Sequence, residues 1–560
     1  MTSPTARLTP QLRDATMAWL ADDPHPGDRT ELQRVLADAM AGNAVAVADL
    51  ADRMGAGLIF GTAGLRGPLR AGPAGMNAAV IRRAAAGIAA HLRATAGPGA
   101  VVVVGFDARH RSAEFAADAA AVLAAAGCTV LLADRPLPTP VTAFAVRQLG
   151  AAAGLHVTAS HNPAQDNGLK VYLAGGVQLV GPDDTRIEAA IAAVRSVHAV
   201  PADPAAVRPW PVDLVERYAA RATGCAPAGA RQLRIALTPM HGVGGDLAVR
   251  VLHDAGFTDV HVVREQAVPD ADFPTVPFPN PEEAGATDLL LALAAEVDAD
   301  LAVALDPDAD RCAIGVRTGD GWRMLTGDET GVLLADLVLG ILDRTIHPDP
   351  LVATTVVSSQ QLRSVAAAAG VRYDETLTGF KWIVRAGDGE GTGLVFGYEE
   401  ALGLCVDPDG VRDKDGISAA VVAAALAARL RAEGRDLPSR LDDLARQHGM
   451  FVTDQLSVRV DDVAVIAGAM RRLRASRPDR LLGDPAEYTD LLPRTDGVVL
   501  RTSTARAVVR PSGTEPKLKA YLEVSEPVPA GTAPEQVRRT CRGRLRDLRD
   551  EVAGLLDLPG

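Results

Sequence analysis

Apolar and polar positions along this chain fall into blocks whose period switches between helical and strand-like. Over residues 1 to about 55, Leu20, Leu32, Leu36 and Met40 recur at helical spacings, which predicts an N-terminal helical extension. Phe60-Gly61-Thr62-Ala63-Gly64-Leu65-Arg66-Gly67 then breaks the pattern, being too glycine-rich for a helix or a strand. Beyond it, Val101–Asp107, Cys128–Ala133 and residues 151–158 read as strands, with helices over Ser112–Ala126 and Pro140–Leu149 between them. The alternation returns with strands at Leu233–Thr238, Val260–Val263 and Leu301–Leu305 and a helix at Asp288–Glu296. It returns again with strands at Leu351–Val357, Val371–Leu377 and Leu394–Phe396 and helices at Gln360–Ala369 and Phe380–Ala386. Three such units predict an α/β chain of three successive α/β domains with mixed, mainly parallel sheets.

The last stretch has a different rhythm. Gln455–Val460, Gly497–Arg501, Ala507–Val509 and Lys519–Val524 are short strand patterns and Pro534–Leu556 is helical, which predicts a smaller C-terminal α+β domain. Linkers are expected at Val200–Pro211, rich in Pro and Ala, and near 320–328, rich in Gly and Asp. The domains would then run 1–211, 212–324, 325–445 and 446–560, four units around a central cleft.

Composition narrows the chemistry. A length of 560 residues exceeds what one hydrophobic core supports. The net charge of −13 argues against nucleic acid as the main partner, although a local field can still receive an anionic substrate. Five cysteines, at 128, 225, 312, 405 and 541, show neither pairing pattern nor CxxC spacing, as a reducing compartment permits. The start of the chain lacks a basic-apolar signal arrangement and no apolar run approaches spanning length, so the expectation is a cytoplasmic protein with no membrane partner.

Four segments carry the chemistry. Thr158-Ala159-Ser160-His161-Asn162-Pro163 follows the apolar run Ala151–Val157, and Asn167-Gly168-x-Lys170 follows it. A serine at a strand's carboxyl end, with His161 beside it and Lys170 ten residues on, is placed to carry a phosphoryl group; alone, it would equally be a solvated turn. Asp306-Pro307-Asp308-Ala309-Asp310-Arg311 follows Leu301–Leu305, and three carboxylates at alternating positions can converge on one hard cation; alone, it would also read as a solvated acidic turn. An EF-hand is excluded, because no Gly occupies the sixth position and no Glu closes a twelve-residue loop. Arg510-Pro511-Ser512-Gly513-Thr514 offers a phosphate nest of backbone N–H groups, hydroxyls and a guanidinium; by its turn chemistry alone it is equally a type I or II turn between two strands. Glu399 and Glu400, in Gly397-Tyr398-Glu399-Glu400-Ala401, read by themselves as surface acids, or else as acceptors for sugar hydroxyls; Thr378-Gly379-Phe380-Lys381 brings a cation near them. The α/β examples all follow strands, at the edge where open α/β sheets place ligands.

In order and content these four segments resemble the α-D-phosphohexomutase superfamily, the phosphoglucomutases and phosphomannomutases, from about Phe60 to the C-terminus. The resemblance implies a phosphosugar mutase that interconverts sugar 1- and 6-phosphates through phospho-Ser160 and a sugar bisphosphate. It implies Mg²⁺ held by Asp306, Asp308 and Asp310 with an oxygen at Ser160, and a sugar bisphosphate such as glucose 1,6-bisphosphate as activator. Arg66, Lys170 and His161 become the electrostatic and acid–base helpers. Arg311, Thr378, Gly379, Lys381, Glu399, Glu400, Arg510, Ser512, Gly513 and Thr514 become the substrate contacts. Many members carry Gly-Glu-x-Ser in the sugar loop where this chain has Tyr398-Glu399-Glu400-Ala401, so one hydroxyl is missing. The loops look most like the branch with phosphopentomutases and glucose-1,6-bisphosphate synthases, which keeps glucose, mannose and ribose phosphates as candidate substrates. The partner is a small phosphosugar, with the chain a monomer or homodimer. A phosphatase or a non-catalytic sugar-phosphate sensor would have less use for four intact loops.

Overall fold

The computed structural model describes residues 7–59, 64–460, 463–512 and 517–557. The N-terminal extension forms three helices, Pro10–Asp22, Pro26–Met40 and Ala44–Arg53, around a small core of its own that includes Leu32, Leu36 and Leu50. Each starts on a side-chain cap: Thr9, His25 and Asn43 accept from backbone N–H groups of the first turn.

Three sheets follow, and all share one plan. In the first, Thr129–Leu132, Val101–Phe106 and Ala153–Val157 run parallel, and Asp166–Leu173 then turns back antiparallel beside Ala153–Val157. In the second, Asp259–Val262, Arg234–Thr238 and Leu301–Leu305 are parallel and Cys312–Thr318 returns antiparallel. In the third, Arg372–Thr376, Leu351–Thr355 and Leu394–Glu399 are parallel and Gly403–Cys405 returns. The central strands are buried on both faces, which is why they read as continuous apolar runs. The fourth sheet is wholly antiparallel, in the order Met450–Arg459, Lys517–Glu526, Ala505–Pro511, Val498–Arg501, Glu487–Asp490. Helix Pro534–Leu556 covers it, with Leu545, Leu548 and Val552 buried.

Both expected linkers carry short strands of their own. Within Val200–Pro211, Arg208–Pro209 adds an edge strand beside Leu131–Leu132, because Trp210 is buried and its indole donates to Leu131 O at 2.9 Å. Within 320–328, Gly321–Met324 pairs back on Cys312–Thr318 as a hairpin, and helix Gly327–Ile341 begins directly afterwards on a Thr326–Glu329 capping box. Glycine and aspartate there mark a tight turn and a helix cap, not a tether.

One contiguous apolar core runs through the first three sheets, whereas the fourth has its own. Helix Gly416–Ala432 explains the continuity. It is apolar almost all round and packs on helices Leu214–Thr223 and Gly245–Asp254 and on strands Leu301–Leu305 and Cys312–Thr318 of the second unit. The fourth unit touches the third through Val356, Val357, Val499, Val508 and Tyr521 and through buried Arg506, which donates to Val356 O at 3.2 Å and to Ser358 O.

Asp328 sits near that contact, accepting from Ser359 N at 2.7 Å and from the Tyr398 hydroxyl at 3.1 Å. Burial, with Glu523 and Glu400 nearby, pushes its carboxyl up to about 7 from 3.8. The folded state therefore binds this proton more tightly than the unfolded chain, and the stabilisation present below the unfolded value is lost as pH rises through about 7. Asp328→Asn should remove that dependence. In thermal denaturation across this range, the wild type should lose ground to the variant steadily as pH rises; parallel curves would refute the burial argument.

Candidate active site

Backbone groups from each of the first three units meet at the turn Asp306–Arg311. It begins where strand Leu301–Leu305 ends and closes through Ala309 N donating to Asp306 O at 2.8 Å, with Ala309 in the left-handed region at φ 54°. All three aspartates are completely buried, and one oxygen from each lies within 4.8 Å of the others. Neighbours approach too closely for side chains. A Cβ at Gly242 would come within 2.4 Å of Pro307 backbone, and one at Gly416 within 2.4 Å of Arg311 O. Backbone N–H groups of Val243, Gly416 and Thr139, one from each of the first three units, donate to carbonyls of Pro307, Ala309 and Asp308.

Such a cluster needs positive charge, and it arrives from all sides. Lys170 Nζ lies 2.6 Å from both Asp308 Oδ2 and Asp310 Oδ2. Lys414 Nζ is 3.3 Å from Asp310 Oδ2, and Arg311 Nε 3.9 Å from Asp310 Oδ1. Burial pushes the Asp308 and Asp310 carboxyls up, but the cations, Lys170 foremost, outweigh it and hold both below the usual carboxylate range. Asp306, which lacks a direct lysine contact, is driven upward by burial and by its two neighbours. Asp308 Oδ1 and Asp310 Oδ1 are buried with no hydrogen-bond partner. Free carboxylate lone pairs in an oxygen-only cluster fit a hard divalent cation such as Mg²⁺.

Ser160 stands on the neighbouring turn, between Ala153–Val157 and Asp166–Leu173. Its backbone is also left-handed, at φ 53°, and its N–H donates to Thr158 Oγ1 at 2.8 Å. Arg109 clamps the turn from below, donating to Ser160 O at 2.6 Å, Pro163 O at 2.8 Å, Asp166 O at 3.2 Å and Asn162 O. Ser160 Oγ thereby lies 3.0 Å from Asp306 Oδ2 and 3.3 Å from His161 Nδ1. Burial, then Arg311 and Arg66, holds His161 well below its ordinary pKa, so it is neutral at pH 7. Arg66, on strand Leu65–Pro68, donates to Asn162 Oδ1 at 2.9 Å.

The third turn carries the two glutamates. Glu399 is buried, not the surface acid its motif alone suggested, and burial pushes it up to about 7 despite Lys414 and Arg311. Glu400 accepts from Thr355 Oγ1 at 3.1 Å and Ser358 Oγ at 3.0 Å. Arg311 donates to Ala401 O at 2.7 Å, which ties this turn to the aspartates. Gly379, at φ 112°, opens helix Phe380–Ile383 after Thr378. Lys381 lies over Trp382 and responds to Asp184 and Arg385, so it is not among the cations gathered at the aspartates. From the fourth unit, Arg510 ends strand Ala505–Pro511 and hydrogen-bonds Tyr521, whose surroundings include Glu400 and Glu282. Ser512 donates its N–H to Lys517 O at 2.8 Å; Gly513 and Thr514 lie outside the described residues.

Sequence reasoning missed Arg109, Thr139, Lys414 and Glu282. Arg109 follows the end of strand Val101–Phe106, the same sheet edge as Ser160, and that position was a usable signal. Thr139 donates to Asp308 Oδ2 as well as through its backbone. Glu282 faces Arg311 at 3.8 Å.

Comparisons with known proteins agree with this geometry. The phosphoglucomutase/phosphomannomutase alpha/beta/alpha domains I, II and III match residues 57–198, 216–319 and 326–448, and the C-terminal domain of the same group matches 456–539. A Haemophilus influenzae protein named "Probable phosphomannomutase" is 39% identical over 80% of this chain and 93% of its own. The phosphopentomutase of Mus musculus is 31% identical over 98% and 94%. The crystal structure of a phosphoglucomutase/phosphomannomutase family protein from Burkholderia thailandensis shares the fold, with a TM-score of 0.68 at 21% identity over 90% of this chain and 98% of that one. The chain belongs to the phosphoglucomutase/phosphomannomutase family. Within it the chain is a phosphosugar mutase, an isomerase that works by phosphoryl transfer.

The close approach at Gly242 is directly testable. Gly242→Ala forces Pro307 to move, and divalent-ion affinity measured calorimetrically should fall by roughly tenfold or more, as for other supports of ligand carboxylates. Wild-type affinity in this variant would mean that the turn does not depend on that contact.

Proposed function

We propose that this enzyme interconverts the 1- and 6-phosphates of glucose or mannose through phospho-Ser160 and a hexose 1,6-bisphosphate, which also primes the serine. The observation that carries this reading is the 3.0 Å contact between Ser160 Oγ and Asp306 Oδ2, which sets a nucleophilic hydroxyl from one unit against the carboxylate cluster of the next. Mg²⁺ bound by Asp306, Asp308 and Asp310, with an oxygen at Ser160, would offset negative charge on the transferring group.

The chain's own groups do the rest. The phosphorus–oxygen bond to Ser160 breaks as one forms to a sugar hydroxyl, and the sequence reverses at the other end of the sugar. His161, neutral and 3.3 Å from Ser160 Oγ, takes the proton that the attacking sugar hydroxyl loses and hands it to the freed Ser160 oxygen, and the proton runs the other way when the serine is rephosphorylated. Lys170 acts as a fixed cation, since Asp308 and Asp310 hold its proton on against burial. Arg66 and Arg311 add positive charge at the rim. Glu399 and Glu400 accept from sugar hydroxyls, and Thr378, Gly379 and Lys381 serve as further substrate contacts. Arg510, Ser512, Gly513 and Thr514 hold the phosphate that is not reacting.

A second reading, a pentose phosphate as substrate, is favoured by Ala401, which brings no hydroxyl to the sugar, and by the mouse phosphopentomutase relative. Rates on glucose, mannose and ribose 1-phosphates measured side by side, with a trace of the matching bisphosphate, separate the two. Release of free phosphate without isomer would instead indicate a phosphatase.

Ser160→Ala should lower kcat by roughly four orders of magnitude or more while substrate still binds; substantial residual turnover would require another phosphoryl carrier. Arg510→Ala should raise KM roughly a hundredfold yet slow phosphorylation of Ser160 by the bisphosphate far less. A loss confined to kcat would count against its phosphate-holding role.

A further inference from the structure

The three-helix extension lies ahead of every residue the family domains match, yet it contacts Arg111 and Ala71, which adjoin the supports of the serine turn and of the Arg66 strand. Asp28, 3% exposed in the first turn of helix Pro26–Met40, receives a two-pronged guanidinium from Arg111, with Nη1 at 2.6 Å from Oδ1 and Nη2 at 3.1 Å from Oδ2. It also accepts from Ala78 N at 3.3 Å. Arg111 occupies a left-handed backbone position at φ 64°, unusual for a side chain of its size, immediately before helix Ser112–Ala125. Such a conformation persists only where surrounding contacts over-determine it.

What the Arg111 turn holds is the Ser160 support. Arg109 N and the Ser112 hydroxyl both donate to Asp107 Oδ1, at 3.0 and 2.6 Å, which fixes the base of the Arg109 side chain. Asn167 donates from below to His110 O at 2.9 Å and Ser112 Oγ at 3.0 Å, three residues before Lys170 on the same strand. Arg109 then grips the carbonyls of the serine turn. A second strut works in parallel: Glu31 Oε1 pairs with Arg53 at 2.5 Å while Oε2 accepts from Ala71 N at 3.3 Å, just beyond the strand that carries Arg66.

We propose that the N-terminal extension is a positioning element of the active site, with Asp28 as the positioning residue that sets Ser160 through Arg111 and Arg109. The claim rests on the phosphoryl-transfer reading for its kinetic consequence only; the mechanical part stands apart from it. Asp22 provides the control. It also anchors the extension, to Arg83 at 3.1 Å and to the Val197 and His198 N–H groups, but it touches neither catalytic turn.

The test compares Asp28→Asn with Asp22→Asn in the full-length enzyme. Hydrogen–deuterium exchange should quicken at 107–112 and 160–167 in Asp28→Asn only, with Asp22→Asn quickening exchange near 196–198 instead. In turnover, Asp28→Asn should lower kcat about tenfold with KM within about twofold, since a displaced nucleophile loses rate before binding. Asp22→Asn should keep wild-type kcat. Unchanged exchange at 160–167 in Asp28→Asn overturns the proposal whatever the wild type catalyses, and so does equal loss of kcat in both variants. A wild type that exchanges as described but makes no sugar phosphate isomer would instead sink the mutase reading.

Discussion

Three carboxylates buried within a single six-residue turn set the terms for the whole molecule. Left alone they would repel one another and resist desolvation. The cations that answer them come from different parts of the chain: Lys170 from the first unit, Arg311 from the turn itself, Lys414 from the third. A buried ion cluster of this kind contributes little net stability, because the desolvation of each charge offsets much of the attraction. Its value is specificity. The placement that brings Lys170 to Asp308 and Asp310 also sets Ser160 Oγ beside Asp306. The contiguous apolar core and the all-round apolar helix Gly416–Ala432 supply the stability with which this arrangement is held.

The three units also repeat one device. In each, the functional turn lies where the last parallel strand hands over to an antiparallel neighbour: Val157 to Asp166, Leu305 to Cys312, Glu399 to Gly403. A parallel crossover needs a dozen or more residues, but an antiparallel return can be made in a few. The switch of strand direction therefore presents a short, stiff loop at the carboxyl edge of the sheet. Each of these loops contains a non-glycine residue with a left-handed backbone, namely Ser160, Ala309 and Leu402. Strain at equivalent points of three sheets follows from turning tightly with side chains still aimed into the site.

This repetition also explains what could be read from the sequence. The parallel strands were legible because burial on both faces makes them unbroken apolar runs, and the serine and aspartate turns were legible because polar turn formers interrupt those runs abruptly. The antiparallel returns were not. Asp166–Leu173 opens on Asp-Asn-Gly and carries a lysine, so it does not resemble a buried strand; its polar groups are satisfied by partners far along the chain, Asn167 by His110 and Lys170 by Asp308 and Asp310. Arg412-Asp413-Lys414-Asp415 looks like a solvated charge run for the same reason. In the fold Asp413 accepts from Tyr172 and Gln178, Asp415 from Tyr218, and Lys414 faces Asp310. Periodicity reports which face a residue shows to the core, but it carries no information about which distant charge will meet it there.

The fourth unit obeys different physics. Its core is separate, and five apolar side chains and one guanidinium make much of its contact with the third. Arg506 meets carbonyls of Val356 and Ser358 and lies 3.6 Å from Glu375 and 3.7 Å from Glu523. Polar contacts of this sort exchange with water at modest net cost, unlike the apolar seam that fuses the first three units. On the proposed bisphosphate mechanism, the transfer would need a rigid centre and a phosphate-holding wall that can let go. The division of the cores assigns those two requirements to different parts of the chain. Ser358 joins them, since its carbonyl takes the Arg506 contact while its hydroxyl donates to Glu400.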